Sequence, residues 1–324
     1  MLAIGFDFDL LSTPYGTKRC IYQLYHYCRI AQLLGLDVRA IVNKEVIKAC
    51  PYLKLISEVW SDNRKGLDIY VSKADALYYD DNWEKVTSKI SAYKICMCNS
   101  DRCFRENIGF NESKAGSPVQ TRCNLYMPVN YTEPLLKKFG HKTIPMSHPI
   151  DIKIFKQFNK DGLDIAFYND NVDIIRSEYY EPETALARFM GYRTPDREKY
   201  AQNTPWAEIV WSRTTPAREY IKFMMQARAC LDFRGYGDKS IRFTEAVLLG
   251  RTIITANVTS KYFPPLIDNY NCILRPKWGN YLETHKSLDE SWHRMANMAT
   301  QHYKTKWSMR AQLLTMLDRF KSSI

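Results

Sequence analysis

The chain has 324 residues, 45% of them hydrophobic and 25% charged, the balance of an ordinary soluble protein and not of a disordered or low-complexity chain. Lysine and arginine number 46 against 35 acidic residues, a formal charge of +11 spread over both halves without a long like-charged run. That diffuse balance suits an anionic ligand, and permits nucleic acid without demanding it. No apolar run approaches the roughly 20 residues of a membrane span. The short apolar start from Met1 runs at once into Asp7 and Asp9, unlike a secretory leader, and nine cysteines fit free thiols in a reducing compartment, so a cytoplasmic location is expected.

Two domains are expected from the length. Residues 2–8 (LAIGFDF) read as a buried first strand, followed by a loop from Leu10 to Thr17 with Pro14 and Gly16. From Lys18 a helix runs to a stop at Gly35, with Ile21, Leu24, Tyr25, Cys28, Ile30, Ala31 and Leu34 as its apolar face and His26 packed on it. Asp37 to Val42 is the next strand, and the three elements form a βαβ unit. Leu67 to Val71, Ala76 to Tyr79, Tyr93 to Cys98 and Thr143 to Met146 read as strands. Trp83 to Ile90 and Glu133 to Phe139 read as helices, and Phe104 to Val119 as a mobile polar loop. Cys96, Cys98, Cys103 and Cys123 lack C-x-x-C spacing, and two of them fall in a strand, so buried thiols are expected there rather than zinc.

His148 to Phe155 reads as a linker with a hinge near His148 to Asp151, after which the pattern restarts. Leu163 to Tyr168 is a strand, Glu183 to Met190 a helix, Ala207 to Trp211 a strand and Thr215 to Met225 a helix. The stretch from Ala227 to Pro265 then reads as strand, glycine turn (Gly235, Gly237), helix (Ile241 to Leu249), stop at Gly250, and a β-branched strand. A strand, a glycine turn and a helix N-terminus make a natural anion site, because free N–H groups and the helix dipole converge there. Leu288 to His302 and Lys306 to Phe320 read as two closing helices. The expected architecture is α/β: two Rossmann-like domains facing a cleft, with C-terminal helices. The expected boundaries are 1–149, 150–305, and a helix over 306–324 that packs back on the first domain.

These motifs resemble a glycosyltransferase of the GT-B fold. The front part (STPYGTKRCIYQLYHYCRIAQLLGLDVRAIV) looks like the first βαβ of such enzymes, and HPIDIKIF like their interdomain segment. The stretch YIKFMMQARACLDFRGYGDKSIRFTEAVLLGRTIIT resembles the donor-site motif, most nearly that of exostosin-like transferases. There a G-x-G-x-x-S-x-R-x-x-E-A pattern precedes a glycine and an apolar strand. The matching residues are Gly235, Gly237, Ser240, Arg242, Glu245, Ala246 and Gly250. The resemblance implies a nucleotide-diphosphate sugar as donor and a glycan hydroxyl as acceptor. It also implies that Glu245 accepts from the ribose hydroxyls. Lys239, Arg242 and Arg213 would neutralise the leaving diphosphate together with the N–H groups around Gly237 to Ser240. Because cations can do this, no metal or other cofactor is required. Asp9 is the candidate general base, with Tyr15 and Gly16 on the acceptor side; Asp80, Asp81 and Asp101 are alternatives for the base.

Other readings stay open at this point. Arg242 and Glu245, three apart, would also make a surface ion pair. The basic excess and aromatic content fit a hydroxymethylated DNA base as acceptor in the same fold, flipped into the cleft. Asp7 and Asp9 resemble the first motif of haloacid-dehalogenase-like phosphatases, although Leu11 stands where that motif has threonine. A non-catalytic nucleotide-sugar-binding protein would carry the same donor motif.

Overall fold

The computed structural model describes residues 1–8, 17–42, 47, 58–60, 64–73, 87–98, 123–128, 142–144, 176, 180–212, 215–233, 241–255, 265–274 and 281–324. They fall into two compact units, Met1–Met146 with Met309–Ile324, and Ser147–Ser308. Each unit is built on a parallel sheet. No described helix is long and apolar enough to cross a membrane.

In the first unit, β1 (Ala3–Asp7), β2 (Asp37–Val42), β3 (Glu58–Trp60), β4 (Ile69–Lys73), β5 (Tyr93–Cys98) and β6 (Leu125–Pro128) pair in the order β3-β2-β1-β4-β5-β6. All pairings are parallel. This is the order of a doubly wound nucleotide-binding sheet, with its reversal point between β1 and β4. Central β1 is buried along its whole length. β3 and β6 have three and four residues, too few to show a periodicity in sequence. Of the strand expected from Thr143, only an isolated bridge to Tyr126 forms among the described residues.

Helix α1 (Thr17–Leu33) covers β1 and β2, with Leu24, Tyr25, Cys28, Ile30 and Ala31 buried. It ends two residues before Gly35, whose φ of 75° is the left-handed value that glycine adopts without strain. The last helix of the chain, Met309–Lys321, belongs to this unit. Its Gln312 accepts from the Tyr27 hydroxyl, and Phe320 meets Tyr93 edge to face at 5.5 Å. At the carboxyl end of β1, Asp7 is fully buried. Its Oδ2 accepts from Arg64 Nε at 2.8 Å and from the Tyr70 hydroxyl at 2.7 Å. Burial, and then the Asp7 charge, push the Tyr70 phenol well above its usual range, so it remains a donor. A carboxylate enclosed and held in this way anchors the end of β1 to β4 and to Arg64.

In the second unit, β7 (Ala185–Gly191), β8 (Glu208–Trp211), β9 (Ala227–Asp232), β10 (Thr252–Thr255) and β11 (Ile273–Leu274) pair in the order β11-β10-β9-β7-β8, again all in parallel. Among the described strands, the reversal point lies between β7 and β9. The helix expected over Glu183 to Met190 is β7. Alanine, leucine, arginine and methionine favour a helix locally. Pairing on both edges and burial on both faces override that preference, and a strand buried on both faces does not alternate in polarity. Its Arg188 stays buried because Glu208, the Phe223 carbonyl and Gln226 accept its N–H groups.

The crossover helices are α2 (Pro195–Gln202), α3 (Ala217–Met225) and α4 (Ile241–Leu248). Right-handed connections place α2 on one face and α3 and α4 together on the other. The α2 face is closed by α5 (Tyr281–His302), with Phe189, Leu231, Phe233, Leu288, Trp292 and Met295 in its core. A π-helical turn (Tyr303–Trp307) follows, and the final helix is α6. The expectations for residues 76–86, 104–119, 133–139, 148–155 and 163–168 lie outside the described residues.

Two stability predictions follow from this packing. Gly250 has φ 67°, and a Cβ there would lie 2.4 Å from Arg176 Nε. Arg176 also donates through Nη2 to the Val247 carbonyl at 3.2 Å and to Thr300 Oγ1 at 2.6 Å. Gly35 has a similar φ but nothing within 4 Å. Both alanine variants carry the left-handed strain of about 1–2 kcal/mol. In urea unfolding, Gly250→Ala should lose measurably more than Gly35→Ala; equal losses would show that Arg176 gives way at no cost.

The second concerns His26, which burial lowers to a pKa of about 3. Its folded value lies below the unfolded 6.5, so between those values only the unfolded state takes up the proton. The stability this site contributes is complete above pH 6.5. It falls with pH down to about 3, at no more than roughly 1.4 kcal/mol per pH unit. His26→Phe should flatten the dependence of the unfolding midpoint on pH from 6.5 to 4; an unchanged slope would assign the acid loss to other groups.

Candidate functional site

Every described strand of the second unit runs the same way, so all of them end on one edge of the sheet. Ligands of such sheets bind outside the carboxyl ends, at the reversal point. Here those ends are Gly191 of β7 and Asp232 of β9, and α4 starts beyond β9. Of the donor residues expected from sequence, Arg242 and Glu245 are described, and both stand on α4. Arg213, Gly235, Gly237, Lys239 and Ser240 lie outside the described residues, as do Asp9, Tyr15 and Gly16 in the first unit.

Arg242 reaches from the first turn of α4 to the end of β7. Its Nε donates to the Met190 carbonyl at 3.1 Å, and its guanidinium carbon lies 4.9 Å from the centroid of Phe189. This reach requires Gly191. A Cβ at that position would fall 2.2 Å from one guanidinium nitrogen and 2.9 Å from its carbon. The glycine is needed here for close approach and not for its backbone angle.

Glu245, one turn further along, is 5% exposed. Its Oε2 accepts from the Tyr220 hydroxyl of α3 at 2.6 Å. Burial, and then the Glu245 charge, push the Tyr220 phenol well above its usual range, while Arg242 opposes the shift. The solvated surface pair that the spacing of Arg242 and Glu245 also allowed is therefore not what forms. The two side chains turn to different partners, one to a strand end and one to a helix. Cys230, on β9 beneath them, is raised by burial to about 12 and is a packing thiol.

Arg197 approaches the same edge from the opposite face. It is 2% exposed, and its guanidinium carbon lies 4.3 Å over Tyr192 and 5.7 Å from the Phe189 centroid. Nη1 donates to the Tyr192 carbonyl at 3.1 Å, while Nε is buried without an acceptor. Burial, and then the charge of Arg242, lower its pKa; the Asp232 carboxylate acts in the other direction. Two guanidiniums and two carboxylates, those of Asp232 and Glu245, thus gather where β7 and β9 end. Reading Gly191 as lying beyond a helix hid this site, because Gly191 and Arg197 then had no strand end to flank. One sequence signal pointed to it: Thr194-Pro195 is a helix start, and Thr194 Oγ1 does accept from the Arg197 backbone N–H. Tyr220 gave only the weaker signal of a phenol beside the buried stripe of Ile221, Met224 and Met225. Among the described residues no cluster of His, Cys, Asp or Glu could hold a metal.

These two parallel units, with their closing helices, define a GT-B-type α/β fold. The solved structures that resemble it are in accord. Sucrose-phosphate synthase from Thermosynechococcus elongatus aligns over 100% of this chain and 99% of its own, at TM-score 0.58 and 10% identity. Anabaena HepE in complex with UDP-glucose aligns over the whole of both chains, at TM-score 0.53 and 11% identity. UDP-GlcNAc 2-epimerase from Neisseria meningitidis, bound to UDP-GlcNAc, also aligns over the whole of both chains, at TM-score 0.52 and 10% identity. No protein-family model and no curated protein matches the sequence. The likeness is thus one of fold.

The geometry predicts the behaviour of Gly191→Ala. The nearest atoms it would strike are the far end of the Arg242 side chain, which can swing away, while the buried Phe189 ring at 3.0 Å must give slightly, so the cost in stability should be about 1–3 kcal/mol. Arg242 should nevertheless leave the Met190 carbonyl, and calorimetric binding of pyrophosphate should weaken at least severalfold. Unchanged pyrophosphate affinity would separate Arg242 from any anion site.

Proposed function

We propose that this protein is a glycosyltransferase that moves a sugar from a nucleoside-diphosphate sugar to a hydroxyl of a glycan acceptor. The observation that carries the reading is the placement of Arg242 and Glu245 on one helix beside the sheet's reversal point, with the cation at the strand end and the carboxylate one turn inward. Fold alone does not decide the activity, since both a synthase and an epimerase share it. The residues supply the rest of the argument.

Departure of the sugar leaves negative charge on the diphosphate. In this reading Arg242 meets that charge, with Lys239, Arg213 and the N–H groups of the Gly235 to Ser240 turn as its sequence neighbours in the task. Arg197 adds a second buried cation at the same edge. Glu245 accepts from the ribose hydroxyls. Asp9, two residues beyond the Asp7 anchor of β1, is the base that takes the acceptor proton, and Tyr15 and Gly16 lie on the acceptor side. Side-chain cations and amides compensate the leaving group, so the reaction is metal-independent in this proposal. The exostosin-like assignment rests on the donor motif alone.

A transfer and hydrolysis screen against UDP-, GDP-, ADP- and CDP-sugars tests the proposal. One donor class should release its nucleotide at the same rate with and without EDTA. Arg242→Ala should lower kcat/KM by about 100-fold or more, the effect of losing one group that stabilises developing charge. Asp9→Asn should bind the donor normally and lose turnover. Release of nucleotide from none of the donors, or full transfer by both variants, would refute the assignment.

A further inference from the structure

The inference rests on the donor reading above and concerns how ribose is recognised at that site. The terminal torsion of a glutamate is broad, so a carboxylate on a helix does not by itself present a fixed oxygen. Here the Tyr220 hydroxyl binds Oε2 at 2.6 Å, within the range of O–H···O⁻ bonds. The half-buried tyrosine has its phenol desolvated beside a carboxylate and stays protonated, so the direction of the bond is set: tyrosine donates and glutamate accepts. The donor comes from α3 and the acceptor from α4, two helices on the same face of the sheet. Tyr220 thus holds the carboxylate from outside the helix that bears it. Arg242, a charged group that also acts on the Tyr220 phenol, is itself held at the Met190 carbonyl.

We propose that Tyr220 is a positioning residue for ribose recognition: by holding Oε2 of Glu245 it fixes the carboxylate so that the site distinguishes ribose from 2′-deoxyribose in a nucleoside diphosphate. Tyr220 has no contact with the sugar in this account. A hydroxyl donating to an aligned, desolvated carboxylate separates the two ligands by about tenfold or more. A carboxylate that must first be ordered gives much of that away, because the ordering cost is met on binding. The phenol removes this cost before any ligand arrives.

The test is calorimetric titration with UDP, GDP, ADP and CDP and with the 2′-deoxy form of whichever binds best. The wild-type protein should prefer the ribonucleotide by about tenfold or more. Tyr220→Phe should reduce the preference to within about threefold, mainly through weaker ribonucleotide binding. Glu245→Gln should do the same, and Tyr220→Phe combined with Glu245→Gln should be no worse than Glu245→Gln alone, since the two act as one unit. Titration at 10 °C with the unfolding midpoint checked covers a destabilised Tyr220→Phe. The double variant, which removes the buried charge together with its donor, covers a single variant that fails to fold.

A wild-type preference in Tyr220→Phe, with both ligands weakened equally, would make the tyrosine merely structural and overturn the proposal. Additive effects in the double variant would overturn it also. If Glu245→Gln keeps both affinity and preference, the assignment of Glu245 to ribose fails. If no nucleoside diphosphate binds the wild-type protein, the donor reading fails as a whole.

Discussion

The candidate site depends on one constraint: β7 must end where it does. Because the sheet of the second unit is wholly parallel, its strands deliver their carboxyl ends to one edge. β7 is paired on both sides and stands at the reversal point, so its last residues have no crossover helix directly above them. Gly191 keeps that opening free of side chain, and Arg242 enters it from α4 while Arg197 closes on Phe189 from α2. The aromatic ring, the glycine and the Met190 carbonyl together hold a charged side chain at a place that would otherwise be a bare strand end.

The two units use the same sheet logic differently. In the first, the strand end at the reversal point carries Asp7, which is enclosed and bound by Arg64 and Tyr70. That bonding spends the carboxylate on the local fold. In the second, Glu245, one turn into α4, is turned to a tyrosine one helix away, and the basic residues lie against backbone and an aromatic ring. The phenols of buried Tyr70 and half-buried Tyr220 are both pushed upward by desolvation and by the carboxylate each serves. The pattern is the same one applied to two ends, an acceptor fixed by a phenol that stays protonated, and among the described residues it stands beside a pair of guanidiniums in the second unit.

Much of the fold was legible because the local signals agreed with the tertiary outcome. Asp37 to Val42 and Tyr93 to Cys98 are strands with those limits, and Gly35 and Gly250 stop helices with the left-handed φ that favours glycine. α3, α4 and β10 lie within a few residues of where hydrophobic spacing put them. Legibility failed where the two disagreed. β7 is made of helix-forming residues and is held as a strand by neighbours that are remote in sequence, Glu208 and Ala227 among them. The shortest strands carry no pattern of their own. In the site, Arg242 and Glu245 were found through a motif with glycine and anion-binding chemistry. Tyr220, Arg197 and Gly191 belong to no motif, and their roles exist only once two helices and a strand end have met.

A nucleotide sugar that binds at the carboxyl edge of the second unit should protect the backbone around that edge. Amide hydrogen exchange with and without the donor identified by screening tests this most directly. Exchange should slow in peptides covering residues 189–197 and 234–248, with β1 and β4 of the first unit unaffected by nucleoside diphosphate alone. Protection centred on the ends of β1 and β4, with residues 189–197 and 234–248 unchanged, would contradict it.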